Sequence, residues 1–583
     1  MLLPLLAACS ESDGGSPASA PTLDTAIAAQ GIAQPAAGTK TLTDYDIWSA
    51  RLMANRTSPV VAAAGDLTES WIGADGILAN VVVRAPRTSG KPTVSVSPPA
   101  NGGDATPLFQ AAFTQLRSSA GGTLKVLPGE YHFKTGRQTE QAGLANLLIS
   151  KLNDVEIDAT GAKFLFEAGC DGVFIEDSRR IRLRGAVMED PSELSGHGRM
   201  KLVDGTMRLI LDRPLPAGLS INWVQAMNEG ADRSWPQIQA KAIIPPTDPQ
   251  AVRIDDRTFT APSFKALADG QMVSVKYTWY GKRAIFIRDT NKGFSEDVIF
   301  DGVNIGSVGG IAVMLKTRGR GFAVVNSTLS ASTGRPYSSN YDGLHVISAG
   351  GDILIQNNAF AHTGDDLVNL RSIIHKVSNI KHNSVTLSND ARMMRVGDEV
   401  AFFTATGEYI GRRMISSAPP LGNSDTIAFG LAAGEPINEA VYARDINITP
   451  RRFAVVNNTM ANSSGRGMLI QVPNGLLKGN TFRNVPWVAI RMMTSYNPWL
   501  EGAGAINVRV TANTFENGGA TLGLNYATGI ITVLGEVTQL KIPTNIHNGP
   551  IKIDSNKFVK ARSACITIYN AKATTQEGNT CTS

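Results

Sequence analysis

Only four cysteines occur in 583 residues, so this is not a fold stapled together by disulfides. No apolar run reaches the ~18 residues that a membrane-crossing helix needs. Charge is balanced as well as sparse: 55 Lys and Arg stand against 50 Asp and Glu, a net +5 that gives no argument for a nucleic-acid partner. The longest basic run, KTRGR at Lys316–Arg320, reads as a solvated loop. A Ser-His-Asp arrangement, a glycine loop that cradles phosphate and a Cys/His spacing for zinc are all missing, and no cofactor is implied. What is plentiful is glycine, 57 residues, beside 43% hydrophobic content. That combination describes a folded, turn-dense β protein.

The four cysteines separate by context. In MLLPLLAACSES, Leu6-Ala7-Ala8-Cys9 looks like a bacterial lipobox, with a Ser/Asp/Gly/Ala-rich tether running on to about Ala20. Cys9 is then the expected lipidation site, and the chain is expected to be exported, as an outer-membrane lipoprotein or to the periplasm or cell surface. Export permits a disulfide, and Cys565 with Cys581 is the pair able to close a C-terminal loop. Cys170 reads as a buried thiol.

The chain divides into 1–20 (signal and tether), 21–95 (an N-terminal region of mixed pattern) and 96–195 (first coils). Next come 196–280 (inserted β module), 281–376 (coils with an aspartate cluster), 377–447 (second inserted β module) and 448–583 (C-terminal coils). The sharpest local unit begins at 101. Thr106 reads as an N-cap with Pro107 at the first helical position, and Leu108, Phe109, Ala112, Phe113 and Leu116 form an apolar stripe. Gly121-Gly122 ends this helix before a strand at 123–127. From 147 onward short alternating runs are punctuated by turns in which Asn stands shortly before an apolar residue, at 326, 358, 458, 480, 513 and 556. Such turns, stacked, allow amide ladders from coil to coil, so these asparagines read as structural.

The chain is organised around 341–372, YDGLHVISAGGDILIQNNAFAHTGDDLVNLRS. Asp342 and the Asp365–Asp366 pair are 23 residues apart, one repeat of a stacked-coil fold. Neighbouring coils lie ~4.8 Å apart, so the three carboxylates are expected to crowd together. Like-charge crowding costs folding energy and raises at least one pKa, which suits a general acid. Adjacent side chains on a strand face opposite ways, so a bend after Gly364 is needed for both members of the pair to reach one cleft. His345 and Asn369 each lie three residues past an aspartate and face either the cleft or the core. Arg371, Arg466 (between two glycines) and Trp499 are further candidates for holding a sugar. The bland readings are turn-forming aspartates or a calcium site, the latter without regular ligand spacing.

DGLHV, GDDLVN 23 residues on, a barrel-like insertion and then RRFAVVNNTMANSSGRGMLIQVPNGLLKGNTF resemble glycoside hydrolase family 110. The resemblance covers roughly 100–560 in architecture and is motif-specific at 340–372 and 462–482. It implies an all-β, right-handed parallel β-helix of pectin-lyase-like type with an N-terminal capping helix and two inserted β-barrel-like modules. It further implies an inverting exo-α-galactosidase acting on α-1,3-linked galactose, with Asp342, Asp365 and Asp366 as catalytic residues and a galactose-containing glycan as partner. The sequence departs from the family where Leu370-Arg371-Ser372 follows Asn369 and in the shortened Gly465-Arg466-Gly467. A uronan-active β-helix enzyme (polygalacturonase-like hydrolase or polysaccharide lyase) and a non-catalytic glycan-binding β-helix are the alternatives.

Overall fold

The computed structural model describes residues 44–54, 59–140, 143–228, 235–243, 251–278, 281–290, 293–419, 426–496, 499–519, 529–536, 548–569 and 571–582. Cys9 and the tether lie outside them. Among the described residues no helix is long and apolar enough to cross a membrane.

Three long sheets of 11, 12 and 11 strands run side by side, and successive coils contribute one strand to each in turn. One coil runs Leu344–Ser348 in the first sheet, Asp352–Gln356 in the second and Ala359–Ala361 in the third. It re-enters the first sheet at Val368–Leu370, paired in parallel with Leu344–Val346. This is the parallel β-helix expected from the turn grammar. Its inward columns are in register, as in Val313, Leu344, Val368, Met468, Ile490 and Ile531, all buried in one continuous core. Each coil alone cannot cover such a face; stacking covers it.

Asparagines stitch the coils together on the inside. Nδ2 of Asn358, Asn458, Asn480, Asn513 and Asn556 each donates to Oδ1 of the next asparagine along, at 2.9–3.0 Å, the last to Asn579. Asn326 is not in this ladder. That position is taken by Ser327, whose amide donates to Oδ1 of Asn358, while Asn326 adopts φ 53° and donates to Asp301.

The helix Thr106–Ser118 covers the open end, as expected, burying Phe109, Ala112, Phe113 and Leu116 against Tyr131, Phe133 and Phe164. Two details differ. The N-cap is Ala105, not Thr106, and carries no side-chain cap, while Asp104 just before it accepts the Thr106 amide at 3.0 Å; Leu108 is 40% exposed because it points off the stack. At the other end a disulfide joins Cys565, on the last first-sheet strand, to Cys581, on the last third-sheet strand. Cys170 is half-buried, and burial raises its thiol pKa to about 11.

The N-terminal hairpin, Leu67–Ile72 with Leu78–Val83, lies across the outer face of the second sheet. Trp71, Val81 and Val83 pack on Ile299, Ala323, Leu354, Ala454 and Leu476, one residue from each of five coils. This is why those strands are buried on both faces and lose their alternation. The same segment hydrogen-bonds across the coils: Asp75 amide to Asn507, Val82 to Asp352, Arg84 to Asp297 and Arg87 to Asp154.

Two insertions leave the stack. Between Val187–Glu189 and Ile285–Arg288 the chain builds a seven-stranded antiparallel sheet; between Val368–Leu370 and Arg452–Val456 it builds a closed six-stranded barrel. The first is thus an open sheet, its edge strands Trp235–Ile243 and Val252–Arg253 pairing on one side only among the described residues. Each insertion has its own core; the first rejoins the coils in the first sheet and the barrel rejoins them in the second.

Candidate active site

Three successive coils enter the first sheet through the same turn. In each a hydroxyl, of Ser339, Thr363 and Ser463, donates to the carbonyl two residues on, of Tyr341, Asp365 and Gly465. The Gly343 amide then donates to the Asp366 carbonyl and the Leu367 amide to the Arg466 carbonyl. Asp342, Asp366 and Arg466 therefore occupy equivalent positions on consecutive coils. The chain bends at Gly364 and Asp365, which lets both members of the pair reach the same point. Asp342, Asp365 and Asp366 each bring an oxygen to a cluster whose oxygens all lie within 4.8 Å of one another. Hard oxygen ligands in that number could also hold a cation. Gly465 faces the cluster, and a Cβ there would stand 2.5 Å from Oδ1 of Asp365 and 2.7 Å from Oδ1 of Asp366.

The charges around the cluster are uneven. Asp342 and Asp366 are buried, and desolvation pushes both carboxyls well above the usual carboxylate range; the charge of Asp365 pushes Asp342 further. Arg466 opposes this by direct contact with Asp366, whose Oδ1 accepts from its amide at 2.7 Å and its Nε at 3.0 Å. Among the described residues no cation touches Asp342 so directly. Its Oδ1 accepts the Asp366 amide at 3.1 Å, and its Oδ2 stands 2.6 Å from Nδ1 of His345, off the line of a well-formed hydrogen bond. Burial lowers the His345 pKa to about 3, and the adjacent Arg371 adds to that, so the imidazole is neutral. Nε of Arg371 donates to Nε2 of His345 at 2.9 Å, which leaves the proton on Nδ1, facing Asp342.

The other expected sugar-holding residues are placed as follows. His345 and Asn369 are register partners on the outer face of the first sheet, beside the cluster. Oδ1 of Asn369 is buried and has no hydrogen-bond partner among the described residues. Arg371 is committed to His345 and, at 3.2 Å, to Glu501. Arg466 lies over the Trp487 ring at 5.0 Å, with Arg491 over the same ring at 5.6 Å. Trp499 is 59% exposed and makes no contact with the cluster among the described residues; the acid two residues on, Glu501, is the member of that loop that reaches the site.

Sequence reasoning passed over several groups here. Lys276, 1% exposed, ends the strand Met272–Lys276 of the first insertion and donates to the Gly364 carbonyl at 2.8 Å, at the bend. Its ammonium sits among the rings of Trp223, Tyr337 and Tyr341, at 4.6, 5.4 and 4.6 Å. The KTRGR run is not a solvated loop. Lys316 is buried and paired with Asp390 at 2.6 Å, and Arg318 is paired with Asp398, because the barrel docks over them. The one hint was that a basic run directly followed a strand pattern.

Over 509 residues, 79% of this chain and 80% of the relative, the chain is 20% identical to alpha-1,3-galactosidase A of Shewanella woodyi. Over 507 residues, 78% of this chain and 80% of the relative, it is 18% identical to alpha-1,3-galactosidase B of Bacteroides thetaiotaomicron. Among solved structures it is similar to an endo-xylogalacturonan hydrolase from Aspergillus tubingensis, at 12% identity and a TM-score of 0.40 over 83% of this chain and 92% of that one. No protein-family model matches the chain. The recognition made from the aspartate motifs, and the assignment to the glycosidases, agree with the names of the two galactosidases.

Proposed function

We propose that this chain removes terminal α-1,3-linked galactose from glycans by a single displacement that inverts the anomeric carbon. The observation that carries the reading is the convergence of three carboxylates within 4.8 Å on consecutive coils. The kinship to two α-1,3-galactosidases supports the sugar and the linkage. Glycoside hydrolysis needs one protonated and one ionised carboxyl. Burial raises Asp366 too, but Arg466 opposes that rise by direct contact, so Asp366 is assigned as the ionised base, and Asp342, which burial and the charge of Asp365 push upward, as the member that keeps a proton. A water accepts and donates at ~2.7–2.8 Å, so oxygens up to ~5.5 Å apart share one. The cluster fits that size and serves as a cradle for the attacking water; the acid and base of inverting enzymes commonly stand ~6.5–9.5 Å apart, wider than this cluster, so inversion rests on the family resemblance and not on this spacing. Export with lipidation at Cys9 belongs to the same proposal and rests on the lipobox; palmitate labelling lost in Cys9→Ser supports it, and equal labelling overturns it.

The deciding experiment is proton NMR of an oligosaccharide ending in α-1,3-galactose during its first turnovers. β-Galactose as first product supports the proposal, and α-galactose overturns inversion. No release from any neutral α-galactoside, with an unsaturated uronate formed from a uronic polymer, overturns the hydrolase reading in favour of a lyase.

A further inference from the structure

The outer face of the first sheet carries a second charged cluster beside the carboxylates, and its charges do not balance. Arg288 and Lys316 are register partners on adjacent strands, and Ser348 follows on the strand of His345. The barrel lays Asp390 and Arg392 over this row: Oδ1 of Asp390 is 2.6 Å from Nζ of Lys316 and 3.3 Å from Nη2 of Arg392. Three cations thus meet one carboxylate, Asp390; the other acid near Arg288, Asp171, is already paired with Arg283 at 2.6 Å. Arg288 is half-buried and, among the described residues, forms no hydrogen bond or ion pair. Burial lowers Arg288 to about 10 and Lys316 to about 8, so the fold holds both at a cost. A guanidinium taken out of water without an acceptor is costly, and its planar fork matches the two oxygens of a carboxylate or sulfate.

We propose that Arg288, with Lys316 and Arg392 behind it, is a subsite for an anionic substituent on the glycan, a sulfate ester or a uronic carboxylate, carried by a sugar other than the one hydrolysed. Arg288 lies two strands from the His345 strand, ~10 Å along the stack at ~4.8 Å per strand, and its row meets that strand at Ser348, three residues or ~10 Å past His345, which puts it beyond the galactose seated on the carboxylates. Arg371 links the two places: it touches His345, and its charge also acts on Asp390. The inference rests on the galactosidase reading for its hydrolytic assay but not for its binding assay.

The test compares wild type, Arg288→Met and Arg288→Lys on three oligosaccharides that end in α-galactose and differ only in the next sugar: neutral, sulfated or uronic. In wild type the expected kcat/KM is higher for one or both anionic forms, and which one identifies the anion. A charge-assisted hydrogen bond corresponds to about ten-fold or more, so Arg288→Met should cut the anionic-to-neutral ratio by that factor and Arg288→Lys should restore part of it. Equal ratios in wild type and Arg288→Met overturn the subsite. Thermal shift with the same oligosaccharides needs no turnover. If nothing is hydrolysed yet an anionic oligosaccharide stabilises wild type and not Arg288→Met, the subsite stands and the galactosidase reading falls. If the neutral substrate is hydrolysed and no anionic form is preferred or stabilising, the reverse holds.

Discussion

Asp342 and Asp366 sit at the same position on consecutive coils, joined by the Asp366 amide donating to Oδ1 of Asp342 at 3.1 Å. A parallel stack places identical positions one strand apart, so any acid repeated at a turn meets its copy. The third carboxylate, Asp365, joins only because Gly364 lets the chain bend beside it.

That pairing separates activity from stability. Asp342→Asn and Asp366→Asn should each lower kcat on a terminal α-galactoside by about 10²–10⁴. Their melting temperatures should diverge. Asp342→Asn replaces a carboxyl that the fold favours in its protonated form by a neutral amide, so it should change stability little at low pH and raise it at alkaline pH, whereas Asp366→Asn leaves Arg466 buried without its carboxylate and should destabilise by ~3–5 kcal/mol. Aryl galactosides with good leaving groups then identify the acid: the variant of Asp342 or Asp365 whose rate they rescue has lost it.

The pH dependence has two limbs. The fold raises Asp342, favouring its protonated form, so its contribution to stability is full below the ordinary value of 3.8 and is lost as pH rises through the raised pKa. His345 works in the other direction. Its folded pKa of about 3 lies below the ordinary 6.5, so its contribution is full above 6.5 and is lost as pH falls toward 3. Denaturant titration across pH should show a shallower acid limb in His345→Gln and a shallower alkaline limb in Asp342→Asn.

Lys276 tests whether the first insertion props up the site. Lys276→Met keeps the bulk among the three rings but leaves the Gly364 carbonyl without its donor, a cost of ~1–3 kcal/mol. We expect kcat to fall more than KM rises, because the bend that aims Asp365 relaxes. A wild-type kcat in a stable Lys276→Met protein would refute this positioning role.

In Gly465→Ala the methyl would stand 2.5 and 2.7 Å from oxygens of Asp365 and Asp366 and 2.8 Å from the Asp365 backbone carbon, so both the carboxylates and the turn must shift. Crystals of the variant should show Asp365 displaced, with activity reduced by at least ~10²-fold, as misplacement of reacting groups by about 1 Å costs.

Along the asparagine ladder, Asn480→Ala breaks contacts to Asn458, Asn513 and Val455, while Asn579 sits at the end. Urea unfolding should show a loss of several kcal/mol at Asn480, since each buried group left unpaired costs ~1–3 kcal/mol, and less for Asn579→Ala.

The features legible in the sequence were those written locally. Phe109, Phe113 and Leu116 announced a helix by spacing, and the asparagine turns announced coils, although Asn326 misled by one residue because Ser327 can fill a ladder position. The aspartates were legible because three of one type lay one repeat apart. Lys276 and Glu501 were not, since each acts on a group supplied by chain far away, and no periodicity marks either. Lys316 and Arg318 read as solvated because nothing in KTRGR reports the barrel that covers them. Trp499 was chosen for its ring, yet on its loop the ring faces water and the acid faces the site.

The N-terminal hairpin and the segment after it run across the coils, touching positions from Asn507 back to Asp154. A plain solenoid frays one rung at a time, because each repeat holds only its neighbours. Here a splint fastens rungs on both sides of the one that bears Asp365 and Asp366, so loosening any rung means prising off the splint as well. The span between carboxylates from different turns is thereby a property of the whole molecule, guarded by residues that never approach the cleft.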